Sequence, residues 1–256
     1  MTLSIRVSPA EADPLLYTGS LAEFPNITRL VLIYSCDQSA PLIDVVCHFP
    51  ALQELHIRDV RRHALADPSA SAVPPRELRS LALSAHSMGP ILVWLQACGH
   101  LPEVHSLTLR WLPTANLFIV RVALQALGGA LRHLDIDMKP FFSVYSTFDF
   151  TPHHNLETVI LRDSGRVLRP KDSIILMINR LVAPKLERLE LHLNLSRLGH
   201  AILDWAAVDM YLSSGQFPRL QSVLLKCSTQ GHDHGDHDFL RNALPSLGSE
   251  VFRTDW

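Results

Sequence analysis

Cysteine is scarce in this chain, and the four that occur, Cys36, Cys47, Cys98 and Cys227, stand 11, 51 and 129 residues apart. That spacing excludes a C-x-x-C zinc pattern and the dense framework of a small disulfide-bonded domain, so they read as reduced thiols. Glycine is also sparse, 11 residues, and none falls into G-x-G-x-x-G or G-x-x-x-x-G-K-[ST], which leaves no phosphate-cradling loop. No run of five like charges exists, and 23 basic against 25 acidic residues give a formal net charge of −2. Such a balance offers neither nucleic acid nor a membrane surface an electrostatic footprint. Long apolar runs are missing too: the longest, Leu117 to Leu127, is short and carries Arg121. The first residues, MTLSIRVSPAEADPLL, lack the charged-then-apolar layout of a secretory signal, so a cytoplasmic or nuclear protein is expected. H-E-x-x-H and G-x-S-x-G are absent, as is any cysteine in a context that activates it, and no cofactor is implied.

What is present is 47% hydrophobic residues, enough for a sizeable core, arranged in a short recurring pattern. A Leu-x-x-Leu-x-Leu core returns in FPNITRLVL (24–32), FPALQELHI (49–57), PRELRSLAL (75–83), LPEVHSLTL (101–109) and GALRHLDI (129–136). It continues in HNLETVIL (154–161), PKLERLEL (184–191) and FPRLQSVLL (217–225). The first core residues, Ile27, Leu52, Leu78, Val104, Leu131, Leu156, Leu186 and Leu220, are spaced by 25, 26, 26, 27, 25, 30 and 34 residues. Alternate residues of a strand point the same way, so the closing Leu-x-Leu puts two aliphatic groups on one side. One such unit cannot bury that side alone and must stack on its neighbours.

Helix punctuation fills the intervals. In SMGPILVWLQACG (87–99), Pro90 suits a first turn and Gly99 the left-handed residue after the last. In TANLFIVRVALQALGG (114–129), Thr114 is the expected cap and Gly128 or Gly129 the stop. DSIILMINRLV (172–182) and LGHAILDWAAVDMYLSSG (198–215) read likewise, with Trp94, Trp205 and Met210 assigned to a core. A doubly wound α/β domain also alternates strands and helices, but it requires no repeated leucine signature and usually marks its ligand site with glycines. The expected fold is therefore α/β: a curved right-handed solenoid of strand-turn-helix units with a parallel sheet on the concave face, in about eight to nine irregular repeats. It forms a single domain over 1–256, with a partial first repeat (1–23), main repeats (24–230), and a polar loop with a degenerate C-terminal capping repeat (231–256).

On these residues the chain resembles the leucine-rich-repeat family. The FP-x-L-x-x-L-x-L entries, the uneven lengths and the paucity of asparagine after the strand look most like the repeat region of fungal F-box/leucine-rich-repeat proteins. At the position where regular members carry a buried asparagine only Asn194 fits, which implies uneven turns. The resemblance implies a non-catalytic protein-protein interaction module, the substrate-recognition part of an F-box-type ubiquitin ligase receptor. No F-box-like leucine-proline helical entry precedes the first strand. LSIRV (3–7) instead lies one period ahead, Leu3 standing 27 residues before Leu30. Skp1 is thus a partner only if an F-box lies upstream.

Repeat position also names a concave row: Ile33, Arg58, Ser84, Arg110, Asp137, Arg162, His192 and Lys226, following a row of Val31, His56, Ala82, Thr108, Asp135, Ile160, Glu190 and Leu224. Of the first row, Arg58, Arg110, Asp137, Arg162, His192 and Lys226 are the candidate partner-binding residues. Four of its eight members are basic, which suits an acidic or phosphorylated segment, since guanidinium groups bind carboxylates and phosphates through paired hydrogen bonds. A solvated sheet face kept soluble by charge is the plainer reading. Trp111 adds an aromatic beside Arg110, either as a hot spot or as packing in the turn.

Two features invite an enzyme reading. His153 and His154 open a repeat and read as a polar strand approach, with no acid at metal spacing beside them. GHDHGDHDF (231–239) concentrates His232, His234 and His237 among aspartates, a weak surface metal cluster. The alternative function is accordingly a metal-dependent enzyme or metal-binding protein. The repeat map places this stretch in a strand-to-helix loop before DFLRNAL (238–244), with Asp236 or Asp238 capping the helix.

Overall fold

In a computed structural model of the chain, residues 1–7, 24–34, 42–58, 68–138, 148–163, 177–193, 204–227, 241–247 and 252–255 are described. The fold is α/β with parallel strands, and the chain divides into two compact units, Met1–Leu127 and Gly128–Trp256. The first holds strands β1 (Thr2–Val7), β2 (Arg29–Tyr34), β3 (Glu54–Arg58), β4 (Ser80–Ser84) and β5 (Ser106–Leu112). The second holds β6 (His133–Met138), β7 (Thr158–Asp163), β8 (Arg188–Leu193), β9 (Ser222–Cys227) and β10 (Phe252–Asp255). Within each unit the strands pair in chain order, every one parallel to the next.

The register follows the leucine spacing. Leu30, Leu55, Leu81 and Leu107 are aligned across β2 to β5, as are Leu32, Ile57, Leu83 and Leu109. In the second unit Leu134, Val159, Leu189 and Val223 form one row and Ile136, Leu161, Leu191 and Leu225 the other. All sixteen side chains are buried. A fully buried aliphatic of this size contributes about 1.5–3 kcal/mol, so these rows are the principal stabilising element of each unit. On β1, Leu3 pairs with Leu30 as its one-period offset requires, though it is only half-buried.

The entries explain the Leu-x-x-Leu spacing. The N–H of seven of the eight first core residues donates to the carbonyl three residues back, from Ile27 to Phe24 (3.3 Å), Leu52 to Phe49 (3.1 Å), Leu78 to Pro75 (3.1 Å) and Val104 to Leu101 (2.9 Å). Leu156, Leu186 and Leu220 do the same to His153, Ala183 and Phe217. This turn swings the first leucine inward before the strand begins. The next carbonyl then joins neighbouring turns: Thr28 O accepts from Gln53 and Glu54 N–H (2.8 and 2.9 Å), Gln53 O from Arg79 and Ser80, and Arg79 O from His105 and Ser106. Arg132 O, Glu157 O and Glu187 O repeat the pattern in the second unit. These shared carbonyls tie one turn to the next.

The helices are α1 (Leu42–Cys47), α2 (Met88–Ala97), α3 (Leu117–Leu127) and α4 (Trp205–Ser213); residues 177–179 and 241–243 are also helical. Gly99 ends α2 with φ +67°, its N–H on Gln96 O (3.0 Å) and the His100 N–H on Leu95 O (2.8 Å), which is a Schellman closure. Gly128 (φ +47°) follows α3. Thr114 departs from expectation. It opens a 3₁₀ turn, Thr114–Asn116, makes no side-chain cap, and follows Pro113, so α3 starts at Leu117. The cap of α4 is Asp204, whose carboxylate accepts the Ala207 N–H (3.0 Å). Trp94 and Trp205 are core as read, but Met210 is exposed. Among the described residues no helix is long and apolar enough to cross a membrane.

Candidate functional site

Strand alternation turns one set of side chains into the core and presents the other on the open face of each sheet. On β2 to β5 the open rows are Val31, His56, Ala82 and Thr108 in register, followed by Ile33 opposite Arg58 and Ser84 opposite Arg110. On β6 to β9 they are Asp135, Ile160, Glu190 and Leu224, then Asp137, Arg162, His192 and Lys226. The rows are those that the repeat spacing defines, but their electrostatics differ from a basic stripe.

In the second unit the cations are bound to carboxylates of the neighbouring row. Arg162 donates through Nε to Asp135 Oδ1 (2.8 Å) and through Nη2 to Oδ2 (3.0 Å), a two-pronged pair. Glu190, 2% exposed, accepts from Arg188 Nη2 (2.7 Å), from Lys226 Nζ (3.1 Å) and from His192 Nε2. Burial alone raises the Glu190 carboxyl, but the hydrogen bonds from His192, Lys226 and Arg188 outweigh it and bring it down to about 2.

His192 joins the two pairs. A carboxylate only accepts, so Nε2 carries a proton toward Glu190, while Arg162 Nη1 lies 2.9 Å from Nδ1 and 2.8 Å from Nε2 of the same ring. Burial pushes the imidazole below its ordinary value, its bond to Glu190 pulls the other way, and the Arg162 charge adds to the depression. Asp135, Arg162, His192, Glu190 and Lys226 make one connected chain of polar contacts across four strands.

On the first unit's open face Glu54 stands 3.4 Å from Arg29 and 3.8 Å from His56. Burial, more than the nearby Arg29, pushes the His56 imidazole down. Arg58 is exposed, and Arg110 is half-buried. Between them Ser84 is 7% exposed, and its Oγ has no hydrogen-bond partner. A buried hydroxyl left so costs about 1–3 kcal/mol. Sequence reading placed Ser84 in the row but gave it no role. Trp111, 49% exposed at φ +56°, occupies the left-handed region that bulky residues avoid, so it projects from the end of β5 rather than packing in the turn.

His153 corrects another expectation. It is buried, at the position that Phe49 and Phe217 take in other turns. Its Nδ1 donates to Gly128 O (2.8 Å), its ring lies 6.1 Å from that of Phe150, and its Nε2 has no partner. Burial drives its protonation down against that hydrogen bond. It is a core histidine rather than a polar approach.

A cavity of about 430 Å³ in the second unit is lined by Trp205, Asp209, Met210, Ser213, Pro245 and Ser246 among others. The Asp209 carboxylate takes the Ser246 N–H (3.1 Å), and Ser213 Oγ donates to the Asp209 carbonyl (2.7 Å). Among the described residues its lining holds no histidine or cysteine. Cys47 and Cys98 are free thiols; burial, then Asp44 and Cys98, push the Cys47 thiol up to about 11. Among the described residues no group of three His, Cys, Asp or Glu stands ready to hold a metal. His232, His234 and His237, with the expected Asp236 or Asp238 cap, lie outside the described residues. Comparison of the chain with family models, curated proteins and solved structures found no match.

Proposed function

We propose that this chain is a non-catalytic protein-interaction module built as a leucine-rich-repeat solenoid, whose partner docks on the open strand face. The observation that carries the reading is the aligned pair of rows on that face, half-buried side chains set in register from strand to strand while the opposite side is filled with aliphatics. Entry turns and shared carbonyls that recur from one strand to the next support the solenoid. An extended row of this kind suits a protein segment better than a small molecule, because it offers length along successive strands. The resemblance to fungal F-box/leucine-rich-repeat proteins adds that the partner is a protein selected for ubiquitination.

Affinity capture from a fungal lysate tests it. Ala82→Arg with Thr108→Arg obstructs the open face, whereas Val93→Glu with Phe118→Glu alters exposed helix positions, 50% and 65% exposed. The first pair is expected to lose the captured partners and the second to keep them. Equal partner sets for both would reject the strand face as the docking surface.

A further inference from the structure

The geometry points to a ligand site in the second unit, apart from the strand rows: the cleft between α4 and residues 241–247 takes a primary ammonium group that carries an apolar body, its head on the Asp209 carboxylate.

Helical spacing builds one side of the cleft. Trp205, Asp209 and Ser213 stand four residues apart on α4, so they lie one above another on a single face, with Met210 beside them. Pro245 and Ser246 complete the lining, and the space of about 430 Å³ falls within the range of small-molecule sites, about 300–1,000 Å³. Trp205 is 6% exposed and Met210 69%, so the lining grades from a covered indole to an open rim.

Asp209 carries the inference. It is 6% exposed, and its carboxylate, which offers about four acceptor positions, meets one donor among the described residues. That donor is the Ser246 N–H, shared between Oδ1 (3.1 Å) and Oδ2 (3.3 Å). Glu190, 2% exposed, shows what a carboxylate at such depth collects elsewhere in the same unit: an arginine, a lysine and a histidine. A buried charge needs a partner of opposite sign, and none of the described cations bonds Asp209. A ligand in the cleft supplies it.

The other groups ask for the same chemistry. Ser213 Oγ donates its one proton to the backbone carbonyls of Asp209 (2.7 Å) and Met210 (3.2 Å), so toward the cleft it only accepts. An ammonium has three donors and no acceptor, which matches a carboxylate and a hydroxyl oxygen. The indole of Trp205 favours cations and apolar groups alike, and Met210 and Pro245 extend the apolar surface. A free arylalkylamine and a lysine side chain both present such a group.

The test is an NMR titration of the full chain at neutral pH with 2-phenylethylamine, N-acetyl-lysine N-methylamide, 2-phenylethanol and 3-phenylpropionate. At least one amine is expected to give saturable shifts of the Asp209 and Ser246 amides, and the tighter of the two tells a free amine from a lysine as the source. The alcohol and the acid should bind about tenfold more weakly or not at all. Asp209→Asn keeps an acceptor for the Ser246 N–H while removing the charge, so its fold is expected to survive, which a thermal melt checks. It should weaken amine binding about fivefold or more, whereas Glu77→Gln, at an exposed acid of the first unit, should not. If Asp209→Asn unfolds, the ratio of amine to alcohol affinity in the wild type decides. No saturable shift from either amine, an alcohol bound as tightly as the amine, or undiminished affinity in folded Asp209→Asn each overturn the site. The capture experiment is independent of this outcome, since its variants all lie in the first unit.

Discussion

Glu190, His153 and His192 show how much a single position decides in this protein. His56, His153 and His192 all have folded pKa values below that of a free imidazole, 6.5. The unfolded chain therefore takes up protons first on acidification. The stability these groups contribute is complete above about pH 6.5 and is lost as pH falls below it. Glu190 acts at a different range: its folded value is about 2 against 4.5, so its contribution is present above 4.5 and lost as pH falls toward 2. Between pH 7 and 5 the slope belongs to the histidines. His153→Phe, placing at this turn the residue found at Phe49 and Phe217, is expected to flatten the decline of melting temperature over that interval. An unchanged slope would contradict the buried neutral histidine. Little of this was legible beforehand. The acids were visible in the row that pairs with the cations, but Arg162 meets Asp135 and Lys226 meets Glu190 on the diagonal of the register, which requires knowing strand offset and side-chain reach together. The partnerless Ser84 hydroxyl had no sequence signal, since burial of a surface-row serine depends on what its neighbours cover.

At the scale of elements, the punctuation was the most readable part. The closing Leu-x-Leu of each unit predicted both inward rows, because period two is a property of any strand. Gly99 was legible as a helix stop for a similar reason, left-handed backbone being cheap only without a Cβ. A Cβ there meets nothing within 4 Å, so substitution tests conformation alone. Gly99→Ala is expected to cost about 1 kcal/mol in denaturant unfolding, and Gly99→Asn less, since asparagine tolerates that region. Thr114 misled because a hydroxyl before an apolar run looks like a cap, whereas Pro113 ahead of it led the chain into a 3₁₀ turn. The carbonyls that join successive turns were invisible to residue identity, being backbone groups that Thr28, Gln53, Arg79 and Glu157 supply equally well.

For the molecule as a whole, the regularity of the leucine pattern speaks to architecture far more than to activity. A core of aligned aliphatics is specified by spacing and hydrophobicity, both written in the chain, while a partner is specified by the face left open, where few residues are constrained by folding. Thr108 lies in the middle of that face in register with Ala82, and Val93 is exposed on α2. A photo-crosslinking residue at Thr108, compared with one at Val93, asks directly where a partner sits. The account predicts that irradiation in a fungal lysate yields a discrete adduct from position 108 and none from 93. Adducts from 93 with none from 108 would contradict it.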